Sequence, residues 1–583
     1  MNRLKAIESL MTDGEKRRLQ RIWEPRVVAQ PPSNAWMDMC VMPDGEIRHY
    51  GKLDGERVYI ASRDGGLSWK TFDVDDRRAM CAGLQCPKSG RWVQSYWLAG
   101  EGGFQGSEMP TPPEGETGWQ AALSDEGPGG KVTWVRVSDD DIRCPRTPLA
   151  LSSGRVLIAA NGNTFPMSPV VARSDDDGLT WRTTTLEPAP MHEISWPHQG
   201  VRWQNGACEP TIVEREDKSL LLIARTSQDV HYCYESFDGG ETWTPPRPTA
   251  LHGTLTMPTL LKLSSGATLF FFCNTQPLPE VNMDAVWPPL KQSEKEGRGE
   301  DVFTNRDACH VAISFDDGKT WRGFRELTLN PLRCAADFRT FGGSDEVLDK
   351  SVHQFQAAEL PFGKVLVACG QHAACRKLMI FDPQWLLETA REEDLHLGLV
   401  NLSTQVYYKS VSGNKRTRSG HCAWNRTSGA ILLPDPDGNY EEALFLQANP
   451  DPRLVSPLQG VVWNFPAAKK GEVIVRLRPG EEGLALALAD RWFNPSDPYV
   501  GAFSPFQLTL YARECPEGAW SECRMAWDEA GCDVFLNERL LVHLKAAQEM
   551  PNGLCYLILQ SAQRPGLGSG SYVKRLAMRA TGA

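Results

Sequence analysis

One octapeptide, present four times, constrains this chain more than any other feature. It reads Ser62-Arg-Asp-Gly-Gly-Leu-Ser-Trp69, Ser174-Asp-Asp-Asp-Gly-Leu-Thr-Trp181, Ser236-Phe-Asp-Gly-Gly-Glu-Thr-Trp243 and Ser314-Phe-Asp-Asp-Gly-Lys-Thr-Trp321, with a degenerate copy from Ser124 to Trp134. In S-x-D-x-G-x-[S/T]-W the Asp and Ser/Thr side chains can bond nearby backbone groups, Gly permits positive φ, and Trp packs the turn down. That is a hairpin turn. A second hairpin, centred on glycine, recurs between the copies at Met42–Ile47, Leu151–Leu157, Leu263–Leu269 and Leu360–Leu366. The five tryptophans are 65, 47, 62 and 78 residues apart, room for a four-stranded sheet each. With the hairpin that ends at Lys377–Asp382 the count is six units. Repeated sheets without helical spacers imply an all-β propeller. The 51 Gly and 41 Pro fit an architecture that needs them at every turn.

The four octapeptides resemble the Asp-box of the sialidase (neuraminidase) superfamily, and the resemblance spans roughly residues 25 to 390. It implies a six-bladed β-propeller, with the Asp-boxes at the end away from the active site. The expected organisation is a helical segment over 1–24, the propeller over 25–382 and a linker helix over 383–400, where Pro383–Leu395 has apolar residues at helical spacing. Strand-like runs beyond it predict a β-sandwich of jelly-roll type over 401–583, similar to the lectin-like modules attached to glycosidases.

The net charge of −11 argues against nucleic-acid or anionic-membrane partners, which need concentrated Lys and Arg. No apolar run approaches the ~20 residues that span a bilayer. The first 19 residues lack the apolar stretch of a signal peptide, so a cytoplasmic protein with reduced cysteines is expected. The 16 Cys form no C-x-x-C pair or zinc spacing, and neither a metal nor a cofactor is expected. A homo-oligomer is compatible with the sequence.

Glu209 precedes Arg225 by 16 residues across one hairpin, which places them side by side at one end of a sheet. The alternative for such a pair is an ion pair bracing the blade. Arg306 stands eight residues before the serine of the fourth octapeptide, where a solvated loop charge is the alternative. Resemblance to sialidases implies that Glu209 activates the nucleophile and that Arg225 and Arg306 grip a substrate carboxylate, a task suited to planar guanidinium donors. Three positions depart from the family pattern. No arginine stands at Asn34-Ala35-Trp36, and the place of the acid/base aspartate holds Arg48, His49 and Tyr50. The place of the nucleophilic tyrosine holds His353 and Gln354. Histidines can transfer protons near neutral pH and Gln can orient a hydroxyl or water. His372 and Arg376 on the following strand, and Trp203 in the loop Trp196–Trp203, complete the expected substrate-binding set.

The resemblance thus implies an exo-acting glycoside hydrolase that releases a terminal acidic sugar from a carbohydrate. Its catalytic residues would be Glu209, His353, His49, Gln354 and Tyr50. A carbohydrate-binding propeller without turnover, and a polysaccharide lyase using His49 or Tyr50, are the alternatives.

Overall fold

The octapeptides close hairpins as their composition dictates. In each, the first serine hydroxyl accepts the N–H of the glycine four residues on at 2.8 Å, and donates to the aspartate between them. That glycine has φ between 83° and 92° (Gly66, Gly178, Gly240, Gly318), a region that side chains disfavour. The indoles of Trp69, Trp181 and Trp243 donate to its carbonyl. Asp238 shows the load one carboxylate carries: it accepts from Ser236 Oγ, the N–H groups of Glu241 and Thr242, and Thr242 Oγ1. Those bonds hold its carboxyl down to about 2 although burial opposes them. Asp238→Ala is expected to cost about 1–2 kcal/mol in urea unfolding, as lost charge-assisted hydrogen bonds do. Because the turn lies far from the candidate site, kinetic constants should stay unchanged.

The computed structural model describes residues 3–33, 36–98, 109–193, 206–253, 255–277, 305–330, 352–370, 375–411, 424–566 and 569–581. Six antiparallel sheets follow one another along the chain, each with strands in sequence order except the last. The sixth pairs strands Phe355–Glu359, Val365–Cys369 and Lys377–Phe381 with Arg26–Ala29, so the ring is closed by a strand from the chain's beginning. In the third sheet the first strand is broken into Ile142–Arg143 and Leu149–Ala150, both paired with Val156–Gly162. First strands of blades three to six line a shared cavity of about 180 Å³, which marks the propeller axis.

Each octapeptide joins the third strand of a blade to its fourth. Register puts the first serine opposite the start of the second strand: Ile47↔Ser62, Val156↔Ser174, Leu220↔Ser236 and Thr268↔Ser314. The other end of every blade therefore carries the starts of first and third strands and the ends of second strands.

Helices Arg3–Leu10 and Asp13–Gln20 precede the ring, the second started by a Thr12/Glu15 capping box, and Ile7, Met11 and Leu19 pack on blades one and six. The linker helix expected over 383–400 is corrected. Pro383–Leu387 is a short 3-10 turn that buries Trp385 and Leu386, and Ala390–Glu393 is a strand paired with Ser571–Ala580. Apolar residues at helical spacing needed only one turn to reach the core. The chain beyond forms two main antiparallel sheets with a shared core that includes Trp463, Leu486, Val475 and Met525. The outer face of the smaller sheet, with Val462, Tyr556 and Ile558, packs on Phe270, Phe272 and Trp321 of the propeller. Among the described residues no helix is long and apolar enough to cross a membrane, and no cysteine forms a disulfide.

Candidate functional site

Strand Ala207–Glu214 begins blade four, and a bulge interrupts its pairing with Leu220–Thr226: Cys208 faces Arg225, and the next pair is Thr211 with Ile223. Glu209 lies in that bulge with φ 48°, and its N–H donates to Asn161 Oδ1 at 3.2 Å. The bulge turns the carboxylate beside Arg225, with Glu209 Oε2 3.1 Å from Arg225 Nη1 and both side chains over nine-tenths buried. Arg225 also donates to Cys208 Sγ at 3.0 Å and to the Leu255 carbonyl at 2.9 Å. Burial opposes the Arg225 charge, yet Cys208 and Glu209 more than offset it and raise the pKa.

Arg306, before the third strand of blade five, donates from Nη2 to the same Leu255 carbonyl at 3.0 Å and is 1% exposed. Two guanidiniums from different blades thus converge on one backbone oxygen. The Val352 N–H donates to the Arg306 carbonyl at 3.2 Å, which brings His353 and Gln354 alongside. All these groups lie at the end opposite the octapeptides.

One cation at the site has no counterpart in the sequence reading. Arg146 sits where the first strand of blade three breaks, donates from Nη2 to the Pro258 carbonyl and Thr259 Oγ1, and lines the axial cavity. Burial, only partly offset by Glu209 and Cys144 and reinforced by Arg225, pulls its pKa down to about 10. Its Nη1 is buried without a hydrogen-bond partner among the described residues. The available signal was an arginine between Pro145 and Pro148, residues that break a strand and free its backbone for bonds to side chains.

Strain collects here. Cys144, Glu209, Leu255 and Gln354 all have positive φ, between 48° and 70°. Such conformations cost about 1–3 kcal/mol each in non-glycine residues and gather at functional sites. Cys144 touches the Glu209 carboxylate, and burial pushes its thiol well up.

A second group lies on blades one and six. His49 is fully buried, with Nδ1 3.0 Å from the Tyr50 carbonyl. Burial, opposed by that carbonyl and aided by Arg376, holds its pKa down to about 4. Arg376 donates to the Pro32 carbonyl at 3.0 Å and interacts with Asp38, a fully buried carboxylate that also accepts from Ser33 Oγ. Asp38 precedes the Pro43-Asp-Gly45 turn.

His49 and Tyr50 are consecutive residues of one strand, and both are buried. Tyr50 points the other way along its strand, into an inter-blade core with Cys40, Met80, Cys81 and Trp92; Arg48 donates to its hydroxyl at 3.3 Å, and burial pushes its phenol up. Trp203, His372 and the position of the absent arginine at Asn34-Ala35 lie outside the described residues. Among the described residues no group of three or more His, Cys, Asp and Glu could hold a metal ion.

Residues 142–361 match the family described as BNR repeat-like domain. No curated protein matches. Among solved structures, a Trypanosoma rangeli sialidase in complex with sialic acid is 11% identical, covering 96% of this chain and 94% of that chain with a TM-score of 0.34. A Hadza microbial sialidase is 15% identical, covering 61% and 66% with a TM-score of 0.40, and a protein of unknown function from Dyadobacter fermentans is 15% identical, covering 62% and 97% with a TM-score of 0.37. With TM-scores this low, the fold assignment rests on sheet order and the Asp-boxes. Residues 142–361 are thus similar to BNR repeat-like domains, within a chain that folds as six antiparallel sheets.

Proposed function

We propose that the protein is an exo-acting glycoside hydrolase that releases a terminal acidic sugar from an oligosaccharide or glycoconjugate. The observation that carries this reading is the convergence of Arg225 and Arg306 on Leu255, with Glu209 paired to Arg225 and Arg146 electrostatically coupled to both, at the end opposite the Asp-boxes. Two buried guanidiniums that meet at one backbone oxygen, with Arg146 nearby, would suit a sugar carboxylate. Planar donors suit that carboxylate bidentately. Glu209 would act as general base on a water or as activator of a nucleophile. His353, which follows the Val352 whose N–H donates to the Arg306 carbonyl, would supply the proton to the leaving oxygen, and Gln354 would orient the attacking water. Direct water attack with inversion and a covalent intermediate both fit this set.

With Tyr50 packed between blades, His49 is the base that an elimination would use. The test is product analysis on a panel of sialosides, ketodeoxy-sugar glycosides and uronides. Release of free acidic sugar without a new ultraviolet chromophore is expected. An unsaturated product would mean elimination, and an unchanged ligand that still binds would mean a carbohydrate-binding propeller.

A further inference from the structure

We infer that Arg491 of the C-terminal sandwich is a positioning residue for the site, holding Leu255 and Arg306 from outside the propeller. Beyond the strand Leu484–Ala489, the backbone runs against Thr275 of blade five: the Trp492 N–H donates to the Asn274 carbonyl at 2.9 Å, and the Gln276 N–H donates to the Trp492 carbonyl at 2.8 Å. From this splice the Arg491 guanidinium reaches two propeller elements at once. Its Nε donates to Gln276 Oε1 at 2.7 Å, while Nη1 lies 2.6 Å from Asp490 Oδ1 and 3.1 Å from His252 Nε2; His252 Nε2 is in turn 2.9 Å from Asp490 Oδ2.

Both arms end at the site. On one, His252 lies three residues before Leu255, whose carbonyl receives both site arginines. On the other, the Gln276 carbonyl accepts from Asn305 Nδ2 at 3.1 Å and Thr275 Oγ1 donates to the Asn305 carbonyl at 2.8 Å, and Asn305 immediately precedes Arg306. The cluster is buried: Arg491 is 9% exposed, Asp490 7% and Gln276 1%. Burial opposes the Asp490 charge, but Arg491 and His252 hold its carboxyl far below the usual range. An ion pair enclosed in this way fixes its neighbours, because every displacement exposes an uncompensated charge or donor. The acceptor shared by the two arginines and the chain that carries Arg306 are thus both tied to one side chain of the other sheet system.

This inference rests on reading Arg306 as a substrate-binding group, so its test has one readout that needs no substrate. Full-length Arg491→Met, Arg491→Lys and Gln276→Met would be compared with the parent by hydrogen exchange and by kinetics on p-nitrophenyl sialoside. Gln276→Met cuts one arm only and leaves the Asp490 pair intact, which keeps a folded variant available. Faster exchange confined to peptides around 255–257 and 305–308 is expected in Arg491→Met and, around 305–308, in Gln276→Met. KM should rise roughly ten- to a hundredfold with kcat within about threefold, the sign of lost ground-state binding, with part of the loss restored by Arg491→Lys. Unchanged exchange at both segments in folded variants overturns the inference, as does a lower melting temperature with unaltered KM. If the parent turns over no acidic glycoside while the exchange pattern appears, the linkage stands and the hydrolase reading falls.

Discussion

Glu209→Gln is expected to lower kcat by at least about a thousandfold while substrate still binds, the scale on which loss of a general base or activating carboxylate is felt. Gln is nearly isosteric and keeps an oxygen beside Arg225 Nη1, now 3.1 Å from Glu209 Oε2, so the bulge and its bond to Asn161 need not change. What disappears is one negative charge among Arg146, Arg225 and Arg306. Ground-state binding of an acidic sugar should therefore hold or tighten, with KM unchanged or lower. Removing one partner of a buried ion pair also costs stability, and the melting curve reports that separately from turnover. An active Glu209→Gln enzyme with parental kcat would remove the residue from the chemistry and leave it as a brace for blade four.

The second large effect concerns Asp497, far from any proposed chemistry. It is 1% exposed in the loop after Arg491, and its Oδ1 accepts the Tyr499 N–H at 2.7 Å. Burial outweighs that bond and the Arg491 charge and raises its carboxyl from 3.8 to about 7. The sign follows from linkage: a raised carboxyl binds its proton more tightly in the folded state, so stability falls as pH rises from the unfolded value towards the folded one. The contribution is undiminished below about pH 4 and lost in full above about pH 7, and the difference corresponds to ~4 kcal/mol. Asp497→Asn keeps an acceptor for Tyr499 and removes the titration. It should resist urea better than the parent at pH 8 and equally at pH 4. Equal midpoints at both pH values would show that Asp497 stays ionised throughout.

What the sequence disclosed follows from how local each cause is. The Asp-box is self-contained, since every hydrogen bond it needs lies within eight residues, and five of the six sheets could be counted from it, the sixth from the hairpin that ends at Lys377–Asp382. The hairpin spacing of Glu209 and Arg225 is nearly as local, and their pairing was legible. Arg306 reaching Leu255 was only implied through resemblance, because that contact spans 51 residues and two blades. Arg146 escaped notice for the same reason: its partners at Pro258 and Thr259 lie more than a hundred residues on. For Tyr50 the strand was legible but the facing was not, since alternate residues look into opposite neighbouring blades and the sequence does not say which neighbour a given side chain meets.

The strand Arg26–Ala29 that completes blade six has a consequence for synthesis. Its partner, Lys377–Phe381, is translated some 350 residues later, so this strand leaves the ribosome long before the strand it pairs with. Folding intermediates of the nascent chain should be open rings with two sticky rims, the kind of species that chaperones shield. An expression variant that begins after Ala29 would keep such a rim permanently, and aggregation during production is its expected failure.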